Sequence, residues 1–424
     1  MAKKKRSRTV TFSDIHKTFS KWLEIDDPDV LDVTLGTIAG NFLGNNPVWL
    51  FLIAPPGGMK SELINAFNNC PTIFPLSDLT PQTLVSGMQG SDKSLLLKLD
   101  GKMLTFKDFT TVLSKRPEQI NEILSQLREI YDGKFTKSFG TGETVDWEGH
   151  VGFIAGCTEV IDSRRLIHSI LGERFVLYRV PIGNRASVGM KALLNTNRVA
   201  QMRQELSSVM GKYVEKLSRW EGTLPSLSGR QGTLLVELAD LTAHGRAAIP
   251  RDRFNQNAIE YVPQPESPTR LVQIYAMLAQ GIALLYNRRS VTDHEMRIVT
   301  KVAKDTMIKS RSNLLSLLSA SKNGMDTGEV SDEVGIPSRT TIRHLEDMWA
   351  LGMLRRDLEG GESYKLGTTV ISMKRGDASY HWHLNDDFKK RIRKTTMFRL
   401  YTDEKATKRT RRKAVPRNTT SKKR

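Results

Sequence analysis

The sequence has few cysteines and no long apolar run. Cys70 and Cys157 are the only cysteines among 424 residues. Two isolated thiols form neither a disulfide framework nor a cysteine-based zinc site, and they suit a reducing compartment. The apolar run 48–54 is far shorter than the ~20 residues that span a bilayer. These absences argue against a disulfide-stabilised secreted domain and against a membrane protein.

Two further absences narrow the function. The basic N-terminal residues are not followed by the apolar stretch of a secretory signal peptide, so we expect a soluble, cytoplasmic protein. The acid clusters typical of nucleases, primases and polymerases are also missing, which argues against those activities.

Acids are in the minority, and the excess of bases is unevenly placed. The chain has 64 Lys and Arg against 46 Asp and Glu, a formal net charge of +18. Residues 1–12 hold five bases and residues 405–424 hold ten bases and no acid, which leaves +3 for the rest. Such blocks are typical of arms that bind polyanions, although a solvated tail is the alternative. Because both ends are basic, we favour nucleic acid as the partner.

Short apolar runs alternate with helical periodicity in the first half of the chain. The runs 48–54, 102–106 and 151–155 have the length and composition of buried strands. Residues 61–67 and 118–131 have the spacing of helices between them. This alternation predicts an α/β core with a parallel sheet.

The stretch "APPGGMKS" follows the first predicted strand and resembles a phosphate-binding loop. Gly57 and Gly58 allow backbone N–H groups to close round phosphates, Lys60 reaches the phosphates, and the Ser61 hydroxyl holds magnesium. Met59 stands where the pattern has a glycine, and a Pro-Gly turn is the alternative interpretation. The predicted nucleotide-binding residues here are Ala54, Pro55, Pro56, Gly57, Gly58, Met59, Lys60, Ser61 and Glu62.

An acid at the end of a second strand is the usual companion of such a loop. In "KMLTFKDFTTVL" the apolar run closes on Asp108, which we expect to hold Mg²⁺ with Ser61 or to orient the attacking water. Lys107 takes the place of the second acid in the usual adjacent pair. A surface acid at a strand end is the alternative.

Three later features extend the predicted site. Gly140 and Gly142 predict a hairpin whose Lys134 and Lys137 contact DNA, or a hairpin with a structural role alone. Thr158 follows the third predicted strand, where a polar side chain faces the γ phosphate. Arg174 follows a glycine in "LGERF", where it is placed to stabilise the transferred charge on a neighbouring subunit's nucleotide or to form a surface salt bridge.

Taken in order, these motifs resemble the AAA+ ATPases, and among them the MCM-like helicases of phages and mobile elements. The resemblance covers about 23–309 and includes "APPGGMKS", "KDFTTVL", "GFIAGCT", "GERF" and "PTRLVQIYAMLAQ". It implies that Lys60 and Ser61 form Walker A and Asp108 Walker B. It further implies that Thr158 is sensor 1, Arg174 the arginine finger and Arg270 the sensor 2 arginine, which binds nucleotide. ATP and Mg²⁺ as ligands, a hexameric ring and a bacterial or phage-infected host cell follow from it as expectations.

The segment 313–356 has the spacing of a helix-turn-helix followed by a hairpin, which resembles a winged helix. A turn at "GIP" precedes a helix that begins at Ser338 and ends before Gly352. Protein docking is the alternative to DNA contact for such a module. The predicted DNA-contacting residues of this helix are Ser338, Arg339, Thr340, Thr341 and Arg343. Its predicted core-facing residues are Ile342, Leu345, Met348 and Leu351.

The sequence therefore predicts an α/β P-loop AAA+ core with a helical lid and a winged helix-turn-helix domain. The expected function is an ATP-dependent DNA motor, either a replicative helicase or a helicase loader. The alternatives are an ATP-binding winged-helix transcriptional regulator and a catalytically degenerate DNA-binding ring. The predicted segments are a basic arm 1–12, an ATPase core 13–183, a helical lid 184–309, a winged helix 310–385 and a basic tail 386–424.

Overall fold

The chain forms two compact units. The first contains residues 1–248 and 266–306, and the second contains residues 249–265 and 307–424. The computed structural model describes residues 9–398 except 45, 58, 86–93, 141, 164–170, 182, 253, 256–257, 360–361, 367–368 and 374–378. The second unit thus includes 249–265, a segment that the sequence analysis assigns to the helical region.

A five-stranded parallel sheet forms the centre of the first unit. Its strands lie in the order β2-β3-β6-β1-β7, and every neighbouring pair is parallel. The strands are β1 (Trp49–Ile53), β2 (Ile73–Leu76), β3 (Lys102–Phe106), β6 (Val151–Cys157) and β7 (Val176–Arg179). The prediction of an α/β core with a parallel sheet is confirmed.

The burial of the strands explains why some were predictable. All residues of β1 and β6 are buried, because helices cover both faces of a parallel sheet, and such strands are continuous apolar runs. The three predicted strands correspond to β1, β3 and β6. Strands β2 and β7 were not predicted; β2 has four residues and includes Pro75.

The helices of the first unit surround this sheet. They are α1 (Phe12–Trp22), α2 (Asp29–Leu43), α3 (Lys60–Asn65), α4 (Pro81–Leu84), α5 (Thr110–Leu113), α6 (Pro117–Tyr131), α7 (Arg185–Leu194), α8 (Val199–Ser218), α9 (Gly229–Arg246), α10 (Thr269–Leu285) and α11 (Asp293–Thr306). Helix α1 begins where Thr11 and Asp14 form a capping box, which satisfies backbone donors of the first turn. The segment 23–28, which ends in Asp27-Pro28, separates α1 from α2.

The predicted hairpin is present. Strands β4 (Lys134–Ser138) and β5 (Thr144–Glu148) pair antiparallel and follow α6. Gly142 has φ of +83°, a left-handed value that favours glycine at this turn. Phe135 and Trp147 face each other across the strands and are buried.

The second unit combines helices with two small antiparallel sheets. Its elements are α12 (Lys309–Ala320), β8 (Met325–Asp326), α13 (Thr327–Val334), α14 (Ser338–Ala350), β9 (Leu354–Glu359), β10 (Glu362–Leu366), β11 (Thr369–Met373), β12 (Ser379–Leu384) and α15 (Asp386–Thr395). Strand β12 lies between β8 and β9, and β10 pairs with β11. Gly335 ends α13 with φ of +70°, which produces the predicted turn before α14.

The length and apolar character of the helices bear on membrane insertion. Along the described part of the chain, no helix is both long and apolar enough to cross a membrane.

Candidate functional site

The carboxyl ends of β1, β3 and β6 bring three predicted site segments to one edge of the sheet. Because these strands are parallel neighbours, the loops that follow them leave from the same edge. The glycine-rich loop (residues 54–61) follows β1, Asp108 follows β3, and Thr158 follows β6. Ligands of open α/β sheets bind at this edge.

The backbone of the glycine-rich loop has a conformation that its residues tolerate. Gly57 has φ of +78°, a left-handed value at which a side chain is strained. Met59 has φ of −62° and ψ of −12°, right-handed helical values that any residue adopts. The methionine in the usual glycine position therefore causes no backbone strain. Gly58 lies outside the described residues.

Lys60 begins α3 and is buried without a counter-ion. Its side chain is 4% exposed, and its Nζ donates to the carbonyl oxygen of Ala54 at 2.9 Å. Within the described residues this is the only hydrogen bond of the ammonium group, and no carboxylate pairs with it. A buried charge without a partner is costly, so this position favours a bound anion. Ser61 follows, and its half-buried hydroxyl makes no hydrogen bond to a described residue.

Asp108 and Thr158 are joined through Thr110. Asp108 Oδ1 accepts from the Thr110 backbone N–H at 3.0 Å, which fixes the carboxylate. The Thr110 hydroxyl lies 3.2 Å from the Thr158 hydroxyl and accepts from the Thr158 N–H at 3.1 Å. Thr110 is not among the residues predicted for the site. An acid two residues before a threonine is typical of such a side-chain-to-backbone turn, and this signal was available.

Gly156 is the contact point between the loop lysine and the segment after β3. A methyl group at this position would lie 2.6 Å from the Lys107 carbonyl oxygen and 3.4 Å from Lys60 Cδ. The absence of a side chain therefore allows both segments to approach β6. The Phe109 N–H donates to the Gly156 carbonyl oxygen at 2.7 Å, which holds Asp108 beside the strand end.

The electrostatics at Cys157 agree with this geometry. Burial raises the pKa of the Cys157 thiol to about 11, so the group is protonated and unreactive at neutral pH. Asp108 raises this pKa further and Lys60 lowers it. Both charges thus lie within electrostatic range of one buried sulfur atom.

A cavity of about 280 Å³ opens beside the glycine-rich loop. Most of its wall is apolar, and its polar side chains include Glu24, Asp26, Lys191 and Asn195. Its lining includes Ala54, Gly57 and Met59 of the loop, Trp22 at the end of α1 with Leu23, Glu24 and Asp26 after it, Val180 and Pro181 after β7, and Val188, Lys191, Ala192, Asn195, Val199 and Met202. A mainly apolar cavity with a few polar groups is the usual form of a small-molecule site.

Glu62 and Arg203 form an ion pair at this cavity. Arg203 of α8 donates from Nε at 3.0 Å and from Nη2 at 2.6 Å to the two carboxylate oxygens of Glu62. This pair raises the pKa of the Arg203 guanidinium, chiefly through the hydrogen bond. Glu62, predicted to bind nucleotide, is therefore engaged by a helix that lies far away in sequence.

Arg174 lies at the opposite edge of the sheet. It lies two residues before β7, whose first residue pairs with Leu50 near the start of β1. Its Nε and Nη2 donate to the two carboxylate oxygens of Asp132 at 3.0 and 2.6 Å, and Nη1 donates to the Leu171 carbonyl oxygen at 3.3 Å. The side chain is 10% exposed.

Arg270 shares this position. Its Nη2 lies 3.8 Å from Asp132 Oδ1, and its side chain is 48% exposed. Tyr131, the residue before Asp132, contacts Trp49, the first residue of β1, and the two ring centroids are 5.2 Å apart. About 13 Å of strand separates that end of β1 from the glycine-rich loop. Within one chain, therefore, Arg174 and Arg270 are close to each other and are not brought to Lys60.

The two hairpin lysines are paired with acids. Lys134 Nζ lies 3.5 Å from the Glu148 carboxylate, and both side chains are 77% exposed. Lys137 Nζ lies 3.2 Å from the Glu122 carboxylate and 5.5 Å from the centre of the Phe139 ring. The hairpin presents both lysines on its surface in weak, solvent-exposed pairs.

In the second unit, the predicted DNA-contacting residues differ in exposure. Ser338, Arg339 and Thr340 are exposed at the start of α14. Thr341 is buried, because its hydroxyl donates to the Ile336 carbonyl oxygen at 3.1 Å. Arg343 is half-buried.

The core-facing side of α14 is rotated relative to the prediction. Leu345, Met348 and Leu351 are buried as predicted, but Ile342 is only half-buried. Thr341 therefore takes the inward position that was predicted for Ile342, because its hydroxyl closes the turn before the helix.

The segment 249–265 packs on α14 through Arg251. Its guanidinium is 4% exposed and donates to Asp347 Oδ1 at 3.0 and 2.7 Å and to the Arg343 carbonyl oxygen at 3.0 Å. Arg311 of α12 lies 3.5 Å from Asp347 Oδ2. One buried carboxylate thus joins three separate segments of the unit.

The described residues contain no group of three or more His, Cys, Asp and Glu side chains that would hold a metal ion by themselves. Comparison of the sequence with models of protein families gives no match. Comparison with curated proteins gives no match either.

Proposed function

We propose that the first unit is a P-loop ATPase core of the AAA+ type. The observation that carries this proposal is Lys60, a buried ammonium group whose only acceptor among the described residues is a neutral carbonyl. Desolvation of such a charge is offset when phosphate oxygens bind beside it. Gly57 supplies the permissive backbone that lets N–H groups surround a phosphate.

The residues at the strand ends fit a hydrated Mg²⁺ ion. Magnesium is usually held by one or two carboxylate or hydroxyl groups together with substrate phosphates. Asp108 uses one carboxylate oxygen to accept from Thr110, which leaves the other for the ion or its water, and the Ser61 hydroxyl is unpaired among the described residues. When bound, the ion neutralises charge on the phosphates. Thr110 and Thr158 hold the carboxylate and a polar hydroxyl at fixed positions beside it.

The cavity beside the loop fits the base and sugar of ATP. Its apolar wall offers Met59, Val180 and Met202 to a planar ring, and Asn195 and Lys191 add polar groups. Because the cavity adjoins Ala54 and Gly57, a base there would place its phosphates over the glycine-rich loop. Arg203 and Glu62 line the same cavity, and their ion pair connects α8 to α3, the helix that follows the glycine-rich loop.

A complete site then requires two copies of the chain. Arg174 and Arg270 lie at the other edge of the sheet, so neither arginine reaches the loop of its own chain. An arginine at the transferred phosphate stabilises the charge that develops there. We propose that a neighbouring copy supplies these arginines in a homo-oligomeric ring, a hexamer by the family resemblance.

The second unit is proposed to be a winged helix that binds DNA. Helix α14 follows a tight turn after α13, and the antiparallel strands β9 and β12 follow it. Ser338, Arg339 and Thr340 are exposed at the start of α14, where recognition helices meet base edges and phosphates. The basic segments at both ends of the sequence, with the exposed Lys134 and the half-buried Lys137, add charge that attracts a polyanion.

Together these elements lead to an ATP-dependent DNA motor, a replicative helicase or helicase loader. The test is steady-state ATP hydrolysis by the full chain and by Lys60→Ala, without DNA, with single strands and with duplex. Lys107→Ala is the matched control, because this substitution also removes one positive charge near the site, but from an exposed side chain. Strand separation is then measured on a forked duplex.

The outcomes separate the three functions. Turnover that needs Lys60, is insensitive to Lys107→Ala and rises with DNA supports a motor. Sequence-specific duplex binding with slow, DNA-independent turnover supports a transcriptional regulator. Turnover of the unsubstituted protein equal to that of Lys60→Ala would overturn the ATPase and leave a DNA-binding ring.

A further inference from the structure

Arg356 of β9 is held between two aromatic rings on the surface of the second unit. The centre of its guanidinium lies 3.7 Å from the centroid of the Trp349 ring and 4.5 Å from that of Tyr380. Trp349 is 40% exposed at the end of α14, and Tyr380 is half-buried on β12. Two rings restrict the motion of the guanidinium and cover its faces.

Arg356 has no carboxylate partner among the described residues. Its neighbour Arg355 lies 3.8 Å from the Asp386 carboxylate, and Arg251, Arg311 and Arg391 of this unit each have a carboxylate within 4 Å. The N–H groups of a guanidinium lie in its plane, so rings on its faces leave the donors at its edge available. A fixed, unpaired guanidinium edge is suited to a planar or tetrahedral oxyanion.

The position of Trp349 connects this group to the exposed side of α14. Residues eleven apart in an α-helix return to within about 20° of the same direction, so Trp349 shares a helix face with Ser338. The half-buried Ile342 lies between them on that face. Ser338 and Trp349 are thus exposed about 16 Å apart on one side of α14, and the buried Leu345 lies between them on that side.

We propose that Arg356 is a DNA-binding residue that contacts a backbone phosphate of duplex DNA. This inference rests on the proposed DNA binding of α14 and adds a contact at the far end of that helix. Phosphate contacts fix the orientation of a recognition helix without reading sequence. Trp349 and Tyr380 hold Arg356 in place before DNA binds, so less side-chain entropy is lost on binding.

Phosphate is favoured over the carboxylates of an acidic protein because the sequence after β12 has an excess of bases. The helix that follows β12 is α15, whose Lys390, Arg393 and Lys394 are exposed, and ten bases without an acid follow between residues 405 and 424. Contacts of this kind make affinity depend strongly on salt, which gives the proposal a specific readout.

The experiment compares Arg356→Ala with Arg355→Ala in the full chain. Both changes remove one charge from β9, but successive strand residues point to opposite faces. Duplex affinity is measured over a series of salt concentrations. We expect Arg356→Ala to weaken binding roughly tenfold at low salt, and to reduce the slope of log affinity against log salt by about one. Arg355→Ala should leave both nearly unchanged.

Two more variants test the aromatic clamp. Arg356→Lys keeps the charge and loses the planar edge, so it should retain most of the salt slope and part of the affinity. Trp349→Ala keeps the guanidinium of Arg356 but removes one of the two rings that restrict its motion. This variant should therefore weaken DNA binding less than Arg356→Ala does. Thermal unfolding of each variant without DNA identifies any loss of fold.

Each result bears on the proposal. Equal effects of Arg356→Ala and Arg355→Ala, or an unchanged salt slope with Arg356→Ala, would overturn the phosphate contact while the DNA-binding function stands. Failure of the unsubstituted protein to bind duplex would overturn both. If Arg356→Ala lowered the affinity for an acidic peptide but not the affinity for duplex DNA, the phosphate contact would be overturned and the stack would be assigned to a protein partner.

Discussion

At its carboxyl end, strand β1 leads to a lysine that is buried without a counter-ion, whereas at its amino end two arginines share one aspartate. Lys60 has a single neutral acceptor among the described residues. Arg174 has both oxygens of Asp132 and a carbonyl, and Arg270 lies within 3.8 Å of the same carboxylate. The two ends thus contain similar positive charges in different states of compensation.

This difference separates a place that needs a ligand from one that is stable without it. The desolvation cost of a lone buried ammonium group is offset only when an anion binds beside it, so Lys60 is expected to lower the stability of the nucleotide-free protein. The Asp132 pair is already compensated, and its exposed member, Arg270, is the arginine that a neighbouring copy in the proposed ring would meet most readily. The comparison yields predictions that either separate the two ends or unite them in one site.

The largest expected effect is on catalysis by Arg270. Arg270→Ala should reduce ATP turnover about 10³-fold, because the proposed shared site would place this arginine, expected from the sequence to bind nucleotide, beside Arg174 at the transferred phosphate of a neighbouring copy. Stability should change by less than about 0.5 kcal/mol, since the side chain is half exposed and its ion pair is long. Steady-state hydrolysis and urea unfolding measure the two quantities.

Mixing variants tests whether Arg270 acts on another copy. Arg270→Ala keeps an intact loop and Lys60→Ala keeps an intact arginine, so a mixed oligomer should recover turnover at interfaces that combine both. Recovery in the mixture would join the two ends of β1 in one shared site. Two inactive proteins that stay inactive when mixed, although they co-assemble, would contradict the shared site.

The next effect concerns the contact point at Gly156. Gly156→Ala should reduce turnover about 100-fold, because the new methyl group would lie 2.6 Å from the Lys107 carbonyl oxygen and displace the segment that carries Asp108. Hydrolysis assays measure the loss.

Gly152→Ala is the matched control for that change. Gly152 lies on the same strand at its opposite end, where the added methyl would meet the flexible side chain of Met103 and would lie 2.8 Å from Cγ of the buried Asn41. Its expected cost is in stability and not in turnover. Equal losses of turnover in both variants would show that β6 tolerates no side chain for reasons of packing alone.

The sequence predicts the edge of the site better than its interior. Strands β1, β3 and β6 are mainly apolar runs, so their ends could be predicted, and the parallel sheet brings the segments with Lys60, Asp108 and Thr158 to one edge. Strand β2 was not predicted, because Pro75 interrupts its apolar run and four residues are too few to show a periodicity.

Contacts between distant segments were beyond prediction. The cavity brings residues near 22–26 together with residues 188–203, and no local pattern encodes that approach. The same holds for the assignment of 249–265 to the second unit, which depends on the buried pair between Arg251 and Asp347. Such pairings follow from tertiary packing and from burial of charge.

A smaller effect is expected at the compensated end. Asp132→Ala should lower the free energy of unfolding by about 2 kcal/mol, because it leaves the buried Arg174 guanidinium without its carboxylate; the partial exposure of Asp132 keeps the cost below that of a fully buried pair. Urea unfolding measures it. Glu148→Ala, which breaks the exposed pair with Lys134, should cost less than about 0.5 kcal/mol. Equal costs would mean that the Asp132 pair is no more than a surface contact.

The smallest expected effect has the opposite sign and lies at the other end of β1. Lys60→Met should raise the free energy of unfolding of the nucleotide-free protein by about 1 kcal/mol, because it removes a buried charge that only a carbonyl accepts. The same change should abolish the stabilisation that MgATP gives the unsubstituted protein. Lys107→Met, at an exposed position beside the site, should leave both quantities nearly unchanged. A destabilised Lys60→Met protein would mean that the hydrogen bond to Ala54 already compensates the lysine, and the distinction between the two ends of β1 would then disappear.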